Sequence, residues 1–221
     1  MKKHIVCYGD SNTHGACRDP QDSADHGNRF NEDERWTCLL QKKLGGDYLV
    51  LEEGLSGRTT AFDDPLHEGL SGVMHVTPIL MSHDPVDLMI VMLGTNDTKG
   101  YFSALPLNIA TGMERLVRKA QSTLCWGNHP PRILIVCPPW IKEGLYDDPA
   151  GQKMGPGCPE KSRELAKYYR EVADLTGCFF MDAEGIAEFN DLDCMHLTAK
   201  GHRQLADALA EKVTEIFASV C

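Results

Sequence analysis

Ser11 lies far along the chain from Asp193 and His196, but the three have the side-chain types needed for nucleophilic acyl transfer. Ser11 sits in Gly9-Asp10-Ser11-Asn12-Thr13-His14-Gly15, and the other two in Asp193-Cys194-Met195-His196. An aspartate and a histidine three residues apart on a turn can hydrogen-bond to each other. That bond would fix the imidazole tautomer and stabilise the imidazolium formed when the ring takes the serine proton. Two further segments offer donors for a developing oxyanion. One is Gly94-Thr95-Asn96-Asp97, through the Asn96 amide. The other is Gly54-Leu55-Ser56-Gly57-Arg58-Thr59-Thr60, through the bare backbone N–H of Gly57. Each motif has a plainer reading on its own. Asp and Ser cap helices, and a glycine-bounded loop after a strand can cradle a phosphate. Asn, Asp and Gly dominate turns, and a lone histidine is more often structural. The combination points to chemistry where no single motif does.

Such residues need a scaffold that brings distant loops together. Apolar runs at 4–8 (HIVCY), 48–51 (YLVL), 88–93 (LMIVML), 133–137 (ILIVC) and 178–181 read as strands. Amphipathic runs at 35–44, 66–81, 106–122, 160–176 and 198–218 read as helices, with Gly69, Gly72 and Pro78 weakening the second. Strict alternation predicts right-handed crossovers, so we expect a three-layer α/β/α fold. Five strands suit a parallel sheet in the flavodoxin-like order 2-1-3-4-5, which binds ligands beyond the carboxyl ends of its strands. The candidate motifs follow predicted strand ends or precede the last helix. The Pro/Gly-rich stretch 138–159 is too long to be a plain connection and reads as lid-like. Trp140 opens it, and could line a sugar or aryl site.

Bulk properties narrow the partners. The 221 residues suit a single domain, 1–221. Basic residues number 22 against 32 acidic ones, without a basic cluster, so neither nucleic acid nor membrane is expected as a partner. No apolar run reaches membrane-spanning length, and a Gly-Asp pair ends the first apolar stretch, which reads as a core strand rather than a secretion signal. Nine cysteines with irregular spacing and no C-x-x-C predict reduced thiols in a cytoplasmic protein. The nine histidines are scattered without H-E-x-x-H, so no metal and no cofactor are expected. Cys194 has no base of its own and is expected to pack. His202 is expected at the surface. Arg58 is expected either to bind substrate or to pair with an acid such as Glu53.

The four blocks GDSNTHG, GLSGRTT, GTND and DCMH, in this order, resemble the SGNH-hydrolase (GDSL-type esterase) superfamily across residues 9 to 196. EEGLSGRTT, the following DDP and MLGTNDTKGYF are most similar to an oligomeric bacterial arylesterase/acyltransferase and acetyl-xylan esterase group. The resemblance implies Ser11 as nucleophile, His196 as general base and acid, and Asp193 as its orienting partner. It implies an oxyanion hole from the N–H groups of Ser11 and Gly57 and the Asn96 amide. Asp10 and Asp97 would hold loops. A homo-oligomer, tetramer or octamer, is implied as well. The expected activity is hydrolysis of short-chain acetyl esters of small alcohols, phenols or sugars through acyl-Ser11. Thioesters, lysophospholipids and O-acetylated glycans are alternative substrates, and a non-enzymatic nucleotide-binding module is the rival class. Residues 12–17 (NTHGAC) depart from the apolar or aromatic residues that group places there. Asp10, Asn12, His14 and Trp140 are the substrate-pocket candidates; Asn12, His14 and Ala16 suggest a more polar or more open pocket, which favours hydrolysis and leaves acyl transfer as a side activity.

Overall fold

The computed structural model describes residues 2–219. Five strands, β1 (Lys3–Gly9), β2 (Tyr48–Gly54), β3 (Leu88–Met92), β4 (Ile133–Cys137) and β5 (Phe179–Asp182), form one parallel sheet in the order β2-β1-β3-β4-β5. The helices are α1 (Ser11–His14), α2 (Trp36–Leu44), α3 (Gly72–Ser82), α4 (Pro106–Gln121), α5 (Pro149–Gln152), α6 (Cys158–Thr176) and α7 (Ala199–Ala218). The expected three-layer α/β/α architecture and strand order are both found.

Period-two side-chain alternation divides the strands between two cores. Val6, Tyr8, Met89, Val91 and Ile135 pack with Met113, Leu116 and Tyr169 on the α3–α4–α6 side. Ile5, Cys7, Ile90 and Val136 pack with Trp36, Leu205, Leu209 and Val213 on the α2–α7 side. Central strands are covered on both faces, which is why their sequences are continuously apolar. Each such fully buried aliphatic side chain contributes about 1.5–3 kcal/mol. The chain leaves β1 toward β2 on one side and later fills β3 on the other. The crevice between the carboxyl ends of β1 and β3 is therefore the topological switch point.

Two expectations need correction. The helix read at 66–81 begins only at Gly72. The residues before it are tied elsewhere: Asp64 accepts hydrogen bonds from Lys99 Nζ and Tyr101 Oη, both at 2.8 Å, and from the Leu66 N–H at 2.9 Å. The 138–159 stretch is not structureless. It contains a 3-10 turn (Glu143–Asp147), α5 and the start of α6. Ile141, Leu145, Met154 and Cys158 build a small core against Cys194 and Met195, so the stretch is strapped onto the segment that carries the histidine. Eight cysteines are free thiols, and Cys221 lies outside the described residues. Among the described residues no helix is long and apolar enough to cross a membrane.

Candidate active site

The serine is placed by backbone geometry. β1 ends at Gly9, and Asp10 caps α1 by accepting the Asn12 N–H at 2.9 Å. Ser11 is thus the first residue of a single helical turn that Gly15 closes at φ 87°, its N–H returning to the Ser11 carbonyl at 2.9 Å. The turn lies directly on the end of β2. A Cβ at Gly54 would fall 2.2 Å from the His14 nitrogen, so only glycine permits the approach.

The histidine and aspartate are placed mainly by side chains. His196 Nε2 lies 2.9 Å from Ser11 Oγ, and His196 Nδ1 lies 2.6 Å from Asp193 Oδ2. Asp193 is fully buried. Its other oxygen accepts from Asn190 Nδ2 at 2.9 Å and from the N–H groups of Met195 and His196, each at 3.2 Å. Burial alone would raise the Asp193 pKa. The hydrogen bond and charge of His196, with Asn190 and Met195, outweigh it and hold the carboxyl at about 2. The Arg18 guanidinium adds a cation, its Nε 3.8 Å from Asp193 Oδ2. Arg18 also pairs with Asp148, the residue that caps α5. Asn190 Nδ2 holds the His196 carbonyl as well, at 2.8 Å. Cys194, between the two, adopts a left-handed φ of 61° that lets the loop turn back on itself.

Three donors border the same cleft. Among the described residues, the N–H groups of Ser11 and Gly57 have no acceptor. Gly57 needs its glycine: φ is +86°, and a Cβ would sit 2.9 Å from Leu70 Cδ1. The Asn96 amide is held by the Arg58 carbonyl at 3.2 Å and by Asp10 Oδ2 at 3.4 Å. Asp97 supports this loop from beneath, accepting the Thr60 N–H at 2.9 Å. Burial raises Asp97 to about 7 despite the bonds from Thr60. Burial likewise raises Asp10 to about 6, the Asn12 N–H and the charges of His196 and Arg58 offsetting only part of it. An arrangement of base, serine and converging donors can accept a serine proton and stabilise an oxyanion about one bond away.

The cleft has a volume of about 270 Å³ and is lined by Ser11, Gly57, Asn96 and His196. Its remaining walls include Ala16, Met154 and Met195, so it is more apolar than expected. Asn12 is not a pocket residue. It is buried and works as a strut, donating to the Met195 carbonyl at 3.0 Å and accepting the Leu197 N–H at 2.9 Å. That ties the serine turn to the histidine loop. His14 lies off the cleft as well, its carbonyl taken by Arg29 Nε at 2.7 Å. Partial burial, then Arg29, holds its pKa below the ordinary value. Asp10 lies behind the Asn96 amide rather than on the cleft wall. Trp140 lies on a separate groove.

Arg58 neither faces the cleft nor pairs with a carboxylate. It donates to the carbonyls of Gly9 and Glu53 and stacks 4.1 Å from the Tyr8 ring centroid. His202, expected at the surface, is fully buried. Its Nδ1 accepts the Trp36 N–H at 3.2 Å, and burial lowers its pKa to about 3. Cys194 packs as expected. Asn190, Arg18, Met154 and Met195 belong to the site although nothing in the sequence singles out most of them. Only Asn190 left a trace, as the start of a polar turn three residues before Asp193.

Comparison with known proteins gives the same direction. The GDSL-like Lipase/Acylhydrolase family pattern matches residues 7–204. The structure of the native M. smegmatis aryl esterase superposes with a TM-score of 0.86 at 39% identity, covering 96% of this chain and 99% of that one. A carbohydrate acetylesterase from Sinorhizobium meliloti superposes with a TM-score of 0.87 at 36% identity, covering 97% and 100%. The lipase/acylhydrolase from Enterococcus faecalis, at 16% identity and a TM-score of 0.69 with 96% of each chain covered, shares the fold. No curated protein sequence matches the chain.

Proposed function

Because the chain belongs to the GDSL-like lipase/acylhydrolase family, it is a serine esterase, and we propose that it hydrolyses short-chain acyl esters, chiefly acetates, of small alcohols, phenols or sugars. The observation that carries this reading is the continuous hydrogen-bond chain from Ser11 Oγ through His196 to Asp193, at 2.9 and 2.6 Å. In the proposed reaction His196 Nε2 takes the Ser11 proton as Oγ attacks the ester carbonyl. The oxyanion accepts from the N–H groups of Ser11 and Gly57 and from Asn96. His196 then gives its proton to the leaving alcohol. Water, deprotonated by the same nitrogen, attacks the acyl-Ser11 carbonyl, and collapse releases the carboxylic acid and the serine.

The small cleft walled by Ala16, Met154 and Met195 supports a short acyl group. A long lipid chain would have to leave it. The likeness to an aryl esterase and to a carbohydrate acetylesterase supports phenol or sugar alcohols. Free cysteines support a reducing, cytoplasmic compartment, and the exposed Leu66, Met74, Leu105 and Leu107 support a homo-oligomer, which light scattering tests. The catalytic reading is tested with p-nitrophenyl acetate, butyrate and octanoate. Turnover should fall along that series, and Ser11→Ala should lose about 10³-fold or more on acetate. Wild-type turnover by Ser11→Ala would overturn the assignment.

A further inference from the structure

A second concavity, of about 470 Å³, lies at the carboxyl ends of β4 and β5 and shares no lining residue with the catalytic cleft. One wall is the segment after β4, with Trp140. The other is the segment after β5, with Glu184 and Glu188, and Gln204 of α7 closes the side. Its volume is in the range of small-molecule sites.

Four features describe what it would take. Trp140 is 40% exposed, whereas Trp36 and Trp126 are buried at 1% and 5%. Its position is set from the backbone, whose N–H donates to Glu184 Oε2 at 2.8 Å. The Gln204 Oε1 atom is buried and has no hydrogen-bond partner. Such an orphan acceptor costs about 1–3 kcal/mol, and turning the half-buried Gln204 amide into the groove it lines would let a ligand hydroxyl satisfy it. Finally, the groove carries little surplus charge. Lys142 pairs with Asp191 at 2.6 Å, Arg163 with Glu143, and Glu188 with Lys200 at 3.2 Å. Among the described residues, Glu184 alone lacks a cation in this lining.

A partly exposed indole, an unpartnered amide oxygen, a hydrogen-bonding carboxylate and neutralised charges match a neutral sugar ring. Its C–H face can stack on the indole while its hydroxyls donate to Gln204 and Glu184. A charged peptide or a nucleotide would meet no unpaired cation there. The groove also adjoins the catalytic loop: the Lys142 N–H donates to the Cys194 carbonyl at 3.2 Å, and Phe189 lines the groove just before Asn190. We propose that this groove is a carbohydrate-binding subsite that holds a neutral glycosyl unit beside the catalytic cleft. Binding there does not require Ser11. Only its use in turning over an acetylated glycan rests on the esterase reading.

The test uses the Ser11→Ala protein and unacetylated xylo-, cello- and chito-oligosaccharides. Trp140 is the exposed tryptophan, so a bound sugar should change the tryptophan fluorescence and protect it from iodide quenching. Calorimetric titration should show binding that Trp140→Ala and Gln204→Leu each weaken about tenfold, the equivalent of one lost stacking or hydrogen-bond contact. The fluorescence arm needs no substitution in the groove, so a misfolded variant does not blunt the test. The proposal is overturned if none of the three sugars protects the fluorescence, or if binding is unchanged in folded variants of both residues. Failure of the esterase reading would show separately, as activity retained by Ser11→Ala.

Discussion

Asp10 and Asp193 are both buried beside the catalytic pair, Asp10 next to Ser11 in the chain and Asp193 bonded to His196. Asp10 is 1% exposed and Asp193 0%, yet one carboxyl is pushed up to about 6 and the other held down at about 2. The difference lies in the donors. Asp10 accepts one backbone N–H at 2.9 Å and one long amide contact at 3.4 Å. Asp193 accepts from the His196 ring, Asn190 and two backbone N–H groups, with Arg18 nearby. Burial alone does not decide whether an acid is charged; the number of donors aimed at it does. The contrast extends to how the two catalytic loops are built. The serine turn is held by backbone geometry and close glycines, and the histidine loop by side-chain hydrogen bonds.

The sharpest way to break this comparison is to neutralise each acid. Asp193→Asn should lower kcat/KM by about 10⁴-fold, because the imidazole loses its tautomer and charge partner. Asp10→Asn should lower it by less than about tenfold, since the amide oxygen can still accept the Asn12 N–H and cap the turn. Equal losses would show that the two acids do the same job. A smaller effect tests the side-chain scaffold. Asn190→Ala removes bonds to both Asp193 and the His196 carbonyl. It should reduce kcat by about 10²-fold through misplacement of the base, and stability by about 2–3 kcal/mol. Steady-state kinetics and urea unfolding measure the two.

Stability against pH should run in opposite directions for the two acids. The Asp10 pKa is higher folded than unfolded, so its contribution is full below about pH 4 and is lost as pH rises through about 6. The Asp193 pKa is lower folded, so its contribution is full above about pH 4 and is lost as pH falls toward about 2. Each spans about 2–3 kcal/mol. Melting temperatures should therefore show Asp10→Asn more stable than wild type at pH 7 and equal to it near pH 4. Asp193→Asn should be less stable at pH 7, with the gap closing in acid. The smallest effect is expected from Arg18→Gln. A half-exposed pair with Asp148 is worth about 0.2–1 kcal/mol, so unfolding should shift slightly. KM should rise a few-fold as the strap that carries Met154 loosens, with kcat nearly unchanged. A large fall in kcat would move Arg18 into the catalytic group.

Much of this is legible in the sequence. The strands follow from short continuous apolar runs and the helices at 106–122, 160–176 and 198–218 from amphipathic patterning, and their alternation predicts a parallel sheet. The motif order then puts Ser11 and Asn96 at the two strands that flank the switch point. Other features were hidden because their reasons are non-local. The helix after Gly69 starts late because Asp64 is tied to Lys99, which is 35 residues away. His202 reads as a polar helix residue, yet it is buried against Trp36 and Phe30, 166 and 172 residues earlier. Asn12 reads as a pocket residue because it follows the serine, but its partners are Met195 and Leu197.

The sequence by itself determined the sheet order, the residue types available for catalysis and the strand ends they follow. Those depend on side-chain periodicity and on turn residues acting within a few positions. Only the tertiary structure decided which polar residues face the cleft and which brace it. It also decided which buried acid keeps its charge, and that Trp140 lines a groove of its own. Each of those outcomes depends on hydrogen-bond partners and burial supplied by segments more than a hundred residues apart, or by loops whose path the core dictates, and no local pattern encodes them.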